Sequence, residues 1–423
     1  NKGLLRLCKF RRRIVCTMKK NINILKNISV LKLTSAGFVS QFGSQISYFA
    51  MLKKVYDLSN GRITDLGFLS IAKCIPYILF GIAAGIIIDR FKRKNIMILS
   101  DVINGFIALS VIFINNLNLI YFVSFLSASV NVFRVPAQKA FEPNLVSKDD
   151  IIPLNSLTSM MDSINMIIGS AAGAAVVGFF GVETSFIIDA LSFYISAFLI
   201  FTIVIKENIV KKKTHFRYKM YIKEFTDGTS ILRKNSVLRT IVIINMYVSF
   251  AMAMQPTLIY VFIKESLHMG SRAEIVWGML LSSLGIGSVF GSIIIGILLK
   301  KCRNKLKLYL NILLFDSFAF TLFILNRYFP LSIVIFAFLG IIGTADSIIL
   351  NSSIQSIAKD KERGKVFSTI SMLQNPIEII SIYIGTTVAA FFTAKDVLLA
   401  AAFLEAVISL SVRFTKSYKI SNK

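Results

Sequence analysis

The sequence predicts an all-α integral membrane protein with twelve transmembrane helices in two six-helix bundles. Of its 423 residues, 55% are hydrophobic and 17% are charged, and the mean hydropathy is +0.69. Soluble domains do not have this composition. Apolar segments of about 20 residues, the length that crosses roughly 30 Å of hydrocarbon, recur along the chain. They must be helical because lipid offers the backbone no hydrogen-bond partners.

Twelve such segments, numbered spans 1 to 12, follow one another with polar links between them. They lie at approximately 33–52, 66–88, 96–114, 119–137, 155–178, 184–204, 240–262, 275–299, 308–325, 331–350, 366–392 and 397–414. Each is too long and continuous for a strand of a membrane barrel. The longest polar interval separates an N-terminal bundle (18–205) from a C-terminal bundle (239–423), with a linker at 206–238.

The net charge of +26 is concentrated on one side of the predicted membrane. About 39 of the 48 Lys and Arg residues lie in the N-terminus, the even-numbered links and the C-terminus. The positive-inside rule therefore places both termini in the cytoplasm of a multi-pass protein of the cell membrane. Basic patches beside membrane spans meet anionic lipid, so this charge indicates the lipid bilayer as a partner and excludes a nucleic-acid role.

Two segments outside the spans have their own interpretation. Residues 1–17 precede the first methionine, Met18, and are too charged and too short for a signal peptide. We interpret them as an extension before the true start or as a short disordered arm. In the linker, apolar side chains alternate with charge at roughly helical spacing, which predicts an amphipathic helix on the inner membrane face. These apolar residues are Met220, Ile222, Phe225 and Ile231.

The sequence predicts no cofactor, no metal and no catalysis. The four cysteines have neither metal nor redox spacing, and the two histidines stand apart from any cluster of ligands. The chain has no glycine-rich loop of the kind that binds ATP phosphates, so work must draw on an ion gradient or on the membrane potential. We expect a monomer that binds a small-molecule substrate and is not an enzyme.

An internal repeat supports the division into halves. The segment FLSASVNVFRVPAQKAFEPNLVSKDD from Phe125 is similar to FLGIIGTADSIILNSSIQSIAKDKER from Phe338, a shift of about 213 residues. Each describes an apolar helix that runs into small and polar residues and then a charged link. The similarity falls at the fourth span of each half, which predicts two halves related about the membrane normal.

The link between spans 2 and 3 reads GIIIDRFKRK and resembles the corresponding loop of the major facilitator superfamily of secondary transporters. The family pattern is G-x-x-x-D-R-x-x-R-K, and this chain has Lys92 where the family usually has glycine. The matching residues are Gly85, Asp89, Arg90, Arg93 and Lys94. The resemblance implies that Asp89 lies near the N-terminus of span 11. It also implies that the neighbouring arginine pairs with an acid at the end of span 4, here Glu142.

Three further stretches narrow the resemblance, namely Val135–Ile164, Ser185–Ala197 and Glu362–Glu378. They resemble the third drug:proton antiporter family, which contains macrolide-efflux proteins and the enterobactin exporter, and the D-A-L-S-F element at Asp189–Phe193 is the most specific. The resemblance implies efflux of small amphipathic compounds in exchange for protons, by alternating access. The alternatives are a siderophore or other metabolite exporter of the same fold, and a non-transporting sensor or scaffold.

Span 5 contains the run GSAAGAAVVG, in which Gly169, Gly173 and Gly178 are predicted to be packing residues. Small residues four apart let two helices approach closely. In the drug antiporters of the superfamily the equivalent run is G-P-x-x-G-G. Here Ser170 replaces the proline and Ala174 replaces the second glycine, so the export direction is an expectation from the resemblance.

Ionisable residues inside the spans are costly in lipid and usually face a partner or a water-filled cavity. Glu378 in span 11 is the first candidate proton carrier, and Asp162 and Asp346 are the next. The alternative for Glu378 is an acid that supports a kinked helix. Asp101 and Asp316 occupy corresponding places in spans 3 and 9, where a packing role is favoured.

The repeat also predicts a gate. It places Arg134 of span 4 and Asp346 of span 10 within one residue of equivalent positions. We expect these opposite charges to meet when the cytoplasmic side closes and to separate when it opens. Alternatively, Arg134 pairs with Asp162 or extends to the lipid headgroups.

Spans 1, 4, 7 and 10 line the cavity of major facilitators, so their polar side chains are the candidate substrate contacts. They are Gln41, Gln45, Asn131, Asn245 and Gln255. Aromatic residues of the same spans, such as Tyr48, supply the apolar surface that an amphipathic ligand needs.

Overall fold

The computed structural model describes residues 27–147, 150–205, 218–265, 272–301, 304–357, 360–414 and 418, and the regular structure in these ranges is helical. The α-helices are α1 (Ile28–Leu58), α2 (Ile63–Arg90), α3 (Arg93–Phe113), α4 (Leu117–Phe141), α5 (Ile151–Ile164), α6 (Ser170–Phe201), α7 (Tyr218–Lys234), α8 (Ser236–Ala253), α9 (Gln255–Glu265), α10 (Ala273–Lys301), α11 (Lys305–Leu325), α12 (Phe329–Ile357), α13 (Asp360–Phe391) and α14 (Ala394–Val412). The predicted all-α class is confirmed. The interpretation of residues 1–17 concerns a segment outside the described residues.

Polar side chains define where several of these helices begin. The Asn27 side chain accepts hydrogen bonds from the backbone at the start of α1, and Asn116, Asn235 and Asn304 cap α4, α8 and α11 in the same way. At the start of α14, Thr393 and Asp396 form a reciprocal capping box. Such caps satisfy backbone N–H groups that have no partner within the helix.

Spans 5, 6 and 7 are built from interrupted helices. A single turn of π-helix at Asn165–Gly169 connects α5 to α6. Helix α6 contains both the end of span 5 and all of span 6, and it folds back at Gly181, whose φ of 86° is a conformation that glycine adopts at little cost. Span 7 consists of α8 and α9, which are interrupted at Met254. Pro256 lies in the first turn of α9, where its missing N–H is tolerated.

Twelve helical segments therefore stand where the twelve spans were predicted. By length and composition, eight stretches of the described residues are apolar enough to cross a membrane, and one of these, Met160–Phe201, is long enough for two spans. Helices α1, α13 and α14 are not among the eight. They contain more polar residues, such as Gln41, Glu378 and Glu405, and several of these face interior cavities or partners rather than lipid.

The hydrophobic core shows how the two halves are joined. We call the helix ends beside α7 the linker end and the opposite ends the far end. One cluster at the far end combines residues of both halves, such as Phe49, Leu66 and Phe262. At the linker end, one cluster holds only residues of the N-terminal half and another only residues of the C-terminal half, among the described residues. The halves are thus packed together at the far end.

A helix lies where the amphipathic linker was predicted. Helix α7 contacts the first turns of α13, and Ile231 and Leu232 pack into the core of the C-terminal half. One apolar face of this helix is therefore covered by protein. The side chains of Met220, Ile222 and Phe225 lie outside the part that the structure describes.

Candidate functional site

Two adjoining cavities lie in the interior, the larger mainly within the N-terminal half and the smaller within the C-terminal half. The larger has a volume of about 630 Å³ and is lined mainly by α1, α3, α4 and α6. The smaller has a volume of about 390 Å³ and is lined mainly by α9, α10, α11 and α12. Both cavities are lined by Pro256, Trp277 and Leu281, so these three residues form the wall between them. Together they are large enough for a drug-sized molecule.

The structure brings four of the five candidate substrate contacts to these cavities. Gln41, Gln45 and Asn131 line the larger cavity, and Gln255 lines the smaller one. Asn245 is instead buried within the C-terminal half. Its amide belongs to a hydrogen-bond network described below, because its side chain is turned toward α12 and α13 rather than toward the centre.

Two charged residues of the larger cavity were not among the predicted site residues. Lys73 of α2 and Asp189 of α6 both line it. The Lys73 ammonium lies 5.7 Å from the centre of the Tyr48 ring. The Asp189 carboxylate accepts a hydrogen bond from Ser44 at 3.5 Å. Their position inside predicted spans was the available signal, since an ionisable residue at membrane depth usually faces water or a partner.

A buried ion pair fixes the interior of the N-terminal half. The guanidinium of Arg134 (α4) binds the carboxylate of Asp101 (α3), and both side chains are almost fully buried. Arg134 also donates to Ser40 of α1 at 3.0 Å, and Ser196 of α6 donates to Asp101 at 2.6 Å. The ion pair and its two serine partners therefore join four helices, α1, α3, α4 and α6.

The corresponding place in the C-terminal half holds an acid without a cation. Asp346 of α12 accepts hydrogen bonds from the Tyr309 hydroxyl and, at 3.0 Å, from the Asn245 amide. Gln374 of α13 donates to the Asn245 side-chain oxygen at 2.7 Å. Neutral donors thus surround this carboxyl group, and no ion pair reaches it among the described residues.

Arg134 and Asp346 are apart in this structure, whose halves have separate cores at the linker end, so their predicted contact on closure of that end stays a prediction. Each group is bound within its own half, Arg134 by Asp101 and Asp346 by Tyr309 and Asn245. The alternative pairing of Arg134 with Asp162 is also absent, because Asp162 is exposed on α5. In this conformation the buried acid on span 3 neutralises the guanidinium of Arg134.

A second pair of acids lies deeper in the C-terminal half. The carboxyl groups of Asp316 (α11) and Glu405 (α14) are in hydrogen-bonding contact, and each residue is less than a tenth exposed. Asp316 also lines the smaller cavity. No cation lies within 4.0 Å of either acid among the described residues. Glu378, the first candidate from the sequence, is half-buried on α13 near Cys74 of α2.

The charged link between α2 and α3 is described only in part. The surroundings of Gly85 and the side chain of Asp89 lie outside the part of the chain that the structure describes. The predicted position of Asp89 near span 11 is therefore untested. Arg90 is exposed and forms no ion pair with Glu142. Glu142 is buried and accepts hydrogen bonds from Gln138 and Lys139 one turn earlier in the chain. The pairing of Glu142 with an arginine of the link stays a prediction.

The neighbouring cations of this link contact the end of α6. The Lys94 ammonium donates to the backbone oxygens of Phe201 and Ile203, both at 2.8 Å. Arg93 is half-buried. A lysine that caps free carbonyl groups at the C-terminus of a helix also opposes the negative end of the helix dipole.

The glycines of span 5 lie at close helix contacts. A Cβ atom on Gly173 would stand 2.9 Å from the Gln45 backbone oxygen and 3.0 Å from the Ile46 Cα atom of α1. One on Gly169 would stand 3.1 Å from the Gln45 side chain, and one on Gly178 would stand 3.1 Å from Ile275 of α10. Gly169 and Gly173 therefore face α1, whereas Gly178 faces the other half.

A ring of four alternating charges joins the halves at the far end. Lys53 and Asp57 belong to α1, Lys264 to α9 and Glu274 to α10. Two contacts cross between the halves, Lys264 to Asp57 at 3.6 Å and Lys53 to Glu274 at 4.0 Å. The remaining two sides, Lys53–Asp57 and Lys264–Glu274, close the ring at 3.8 and 3.7 Å. We call these four residues the far-end charge ring.

Aromatic side chains support the far-end charge ring. The Lys264 ammonium lies 3.8 Å from the centre of the Tyr56 ring, and Tyr56 also stacks edge-on against Tyr260. The Tyr260 hydroxyl donates to Glu274 at 2.7 Å. The ring thus combines ion pairs, a cation–π contact and a buried hydrogen bond, all at the end where the two halves meet.

Two bundles of membrane-length helices that enclose central cavities and are packed together at one end define a membrane transporter. The sequence model of the Major Facilitator Superfamily matches residues 33–382. The chain therefore belongs to the major facilitator superfamily, as the link between α2 and α3 indicated. It is a transporter of that superfamily and a multi-pass membrane protein.

Individual relatives agree with this assignment. The chain is 24% identical over 312 residues to the uncharacterized MFS-type transporter YkuC of Bacillus subtilis (strain 168), which covers 71% of this chain and 72% of the relative. It is 23% identical over 341 residues to macrolide efflux protein A of Streptococcus pyogenes, with 79% and 82% covered. The crystal structure of the nucleoside transporter NupG shares the fold, with a TM-score of 0.69, 15% identity, and 93% and 99% covered.

Proposed function

We propose that this protein exports small amphipathic compounds in exchange for protons, by alternating access. The observation that carries the proposal is that the halves share one hydrophobic core and a charge ring at the far end, whereas each half has its own core at the linker end. Two halves that are joined at one end and have separate cores at the other suit a mechanism in which the closed end alternates.

The orientation follows from the distribution of charge. The linker side carries most of the chain's Lys and Arg residues, so the positive-inside rule assigns it to the cytoplasm. The conformation described by the structure then faces the cytoplasm and is closed toward the outside. An exporter takes up its substrate in this conformation. The similarity to macrolide efflux protein A supports the outward direction of transport.

The walls of the larger cavity suit an amphipathic substrate. Apolar and aromatic residues such as Phe186, Phe193 and Trp277 line it beside polar groups such as Gln41 and Asn131. An apolar surface with a few well-placed polar groups binds the body of a small molecule by burial and fixes its orientation by hydrogen bonds.

Asp316 and Glu405 supply a binding site for the coupling proton. Two ionised carboxylates about 4 Å apart repel by about 4 kcal/mol at an effective dielectric constant of about 20, so a proton shared between them relieves a large repulsion. The corresponding acid of the N-terminal half, Asp101, is neutralised by Arg134 and needs no proton. Exposure of Asp316 at the smaller cavity gives a proton a route to the pair. Glu378 is the second candidate.

A susceptibility and accumulation panel in a bacterial host that lacks its main efflux pumps tests the proposal. The host expresses the wild-type chain or, at an equal level in the membrane, the Glu405→Gln variant. We expect the wild type to lower the accumulation of some amphipathic compounds, and a protonophore or the variant to abolish the effect. If no compound in the panel responds, the drug-like substrate class is wrong and a metabolite exporter or a scaffold takes its place.

A further inference from the structure

One positive and one negative charge face the same cavity without neutralising each other directly. Lys73 enters it from α2 and Asp189 from α6. Within the described residues, neither side chain forms an ion pair shorter than 4.0 Å, with the other or with a third group. Charges at membrane depth are costly unless they are paired. This cavity therefore holds two charges of opposite sign that a ligand can reach.

The acidic end of this site is rigidly built. Asp189 is 5% exposed; its carboxylate accepts a hydrogen bond from the Ser44 hydroxyl at 3.5 Å, and the Ser192 hydroxyl donates to its backbone oxygen at 2.7 Å. These serines lie on α1 and α6, which pack closely along this stretch because Gly43 has no side chain to separate them. A buried carboxylate between closely packed helices keeps its position, and with one hydroxyl donor it has acceptor capacity left for the cavity.

A third group in the wall lacks a partner. Ser124 of α4 is 3% exposed, and its hydroxyl has no hydrogen-bond partner among the described residues. It lines the same cavity as Lys73 and Asp189. A buried hydroxyl group without a partner is unfavourable until a water molecule or a ligand satisfies it. The wall therefore offers a polar contact in addition to the two charges.

We propose that the larger cavity binds small amphipathic zwitterions, with the ligand carboxylate at Lys73 and the ligand ammonium at Asp189. This inference rests on the proposed export function and specifies its substrate class. A ligand with one charge leaves one of the two cavity charges without a partner, whereas a zwitterion matches both. The apolar body of such a ligand packs against Phe186 and Trp277.

Three small probes that share one dipeptide body and differ in charge test the proposal by direct binding. They are the dipeptide phenylalanyl-leucine, which is a zwitterion at about pH 6.5, its methyl ester, which is a cation, and its N-acetyl derivative, which is an anion. Trp277 is the only tryptophan of the chain and lines both cavities, so its fluorescence reports binding to the purified full-length protein. We expect the wild type to bind the dipeptide at least about tenfold more tightly than either derivative.

Two variants and one control assign each charge. Lys73→Met should weaken the dipeptide and the anion about tenfold but not the cation, and Asp189→Asn should weaken the dipeptide and the cation but not the anion. The probe that each variant still binds shows that it is folded. The control is Lys54→Met. Lys54 donates to the backbone oxygens of Val111 and Ile112 at 2.6 and 3.2 Å, so this change should alter no affinity.

Equal affinity of the wild type for the three probes would overturn the proposal, as would a dipeptide that does not bind. This ranking needs no variant, so a variant that fails to fold does not affect it. Because binding is measured without transport, a failed ranking beside a positive accumulation panel rejects only the zwitterion class. A correct ranking beside a negative panel rejects the drug-export proposal and leaves the binding site.

Discussion

Lys264 of the C-terminal half lies 3.6 Å from Asp57 of the N-terminal half, and this contact is one side of the far-end charge ring. Glu274 and Lys53 complete the ring, so each charge has two neighbours of opposite sign. A single exposed pair contributes little to stability, but four alternating charges with an aromatic support form a network. Because two of its contacts cross between the halves, the ring exists only while the far end is closed.

Removal of one cation of the ring should favour opening of the far end. In Lys264→Gln, one of the two ion pairs between the halves is lost, and Asp57 and Glu274 keep only Lys53 as an ion-pair partner. Spin labels at the exposed far-end residues Asn118 and Arg327, in a background without native cysteines, report the separation of the halves. We expect a larger population at long distance than in the wild type. Lys307→Gln, which removes an exposed cation at the linker end, is the control and should leave the distribution unchanged.

Replacement of either carboxyl group of the Asp316–Glu405 pair by an amide should uncouple transport from the pH gradient. Glu405→Gln and Asp316→Asn each remove the need for a shared proton, so substrate should still exchange across the membrane but no longer accumulate against its gradient. Counterflow and gradient-driven uptake of a panel substrate measure the two activities. Glu183→Gln, at an exposed position, should retain both. Coupled transport by Glu405→Gln together with uncoupled transport by Glu378→Gln would assign the carrier to Glu378 instead.

The buried ion pair of the N-terminal half should determine its stability. Arg134→Gln leaves Asp101 charged and unpaired in the interior, which should cost about 3–5 kcal/mol. The double variant Asp101→Asn with Arg134→Gln should recover most of that loss, as thermal unfolding in detergent would show. The exchange of charges in Arg134→Asp with Asp346→Arg should not rescue the protein, because these residues are not partners in this structure. Rescue by that exchange would support the gate that the repeat predicts between Arg134 and Asp346.

The close approach of α1 and α6 should depend on Gly173. A methyl group at this position meets the backbone of Gln45 and Ile46, which cannot rotate away as a side chain can. Gly173→Ala should therefore lower the unfolding temperature, at a cost of about 1–3 kcal/mol. Gly81→Ala is the matched control, since no atom lies within 4 Å of the added Cβ. An equal response of the two variants would argue against the packing role.

Much of the fold could be predicted because the length of an apolar segment indicates whether it spans the membrane. Hydropathy does not record how each helix is rotated about its axis, so the partner of an internal charge stayed unknown. The repeat predicts a contact of Arg134 with Asp346 in one state of the protein, and it gave no sign of the pair that Arg134 forms here with Asp101 on the neighbouring span. Lys73 and Asp189 stand within predicted spans, but only the packing of α1, α2 and α6 shows that they share a cavity.

The far-end charge ring was missed for a related reason. Lys53, Asp57 and Lys264 stand at the ends of spans, where charged residues ordinarily face water, and Glu274 begins the next helix. Nothing in their spacing indicates that two helices from different halves bring them together. Once the halves are packed at the far end, the alternation of charge follows from the positions of α1, α9 and α10.

The central claim is proton-coupled export, and transport by the purified protein in liposomes with an imposed pH gradient tests it most directly. A substrate found by the accumulation panel is added outside liposomes whose lumen is acidic. Exchange for protons predicts accumulation of the substrate in the lumen, collapse of that accumulation when an ionophore dissipates the gradient, and no accumulation in Glu405→Gln. Uptake that ignores the gradient, or that increases only when the lumen is alkaline, would contradict the exchange of substrate for protons.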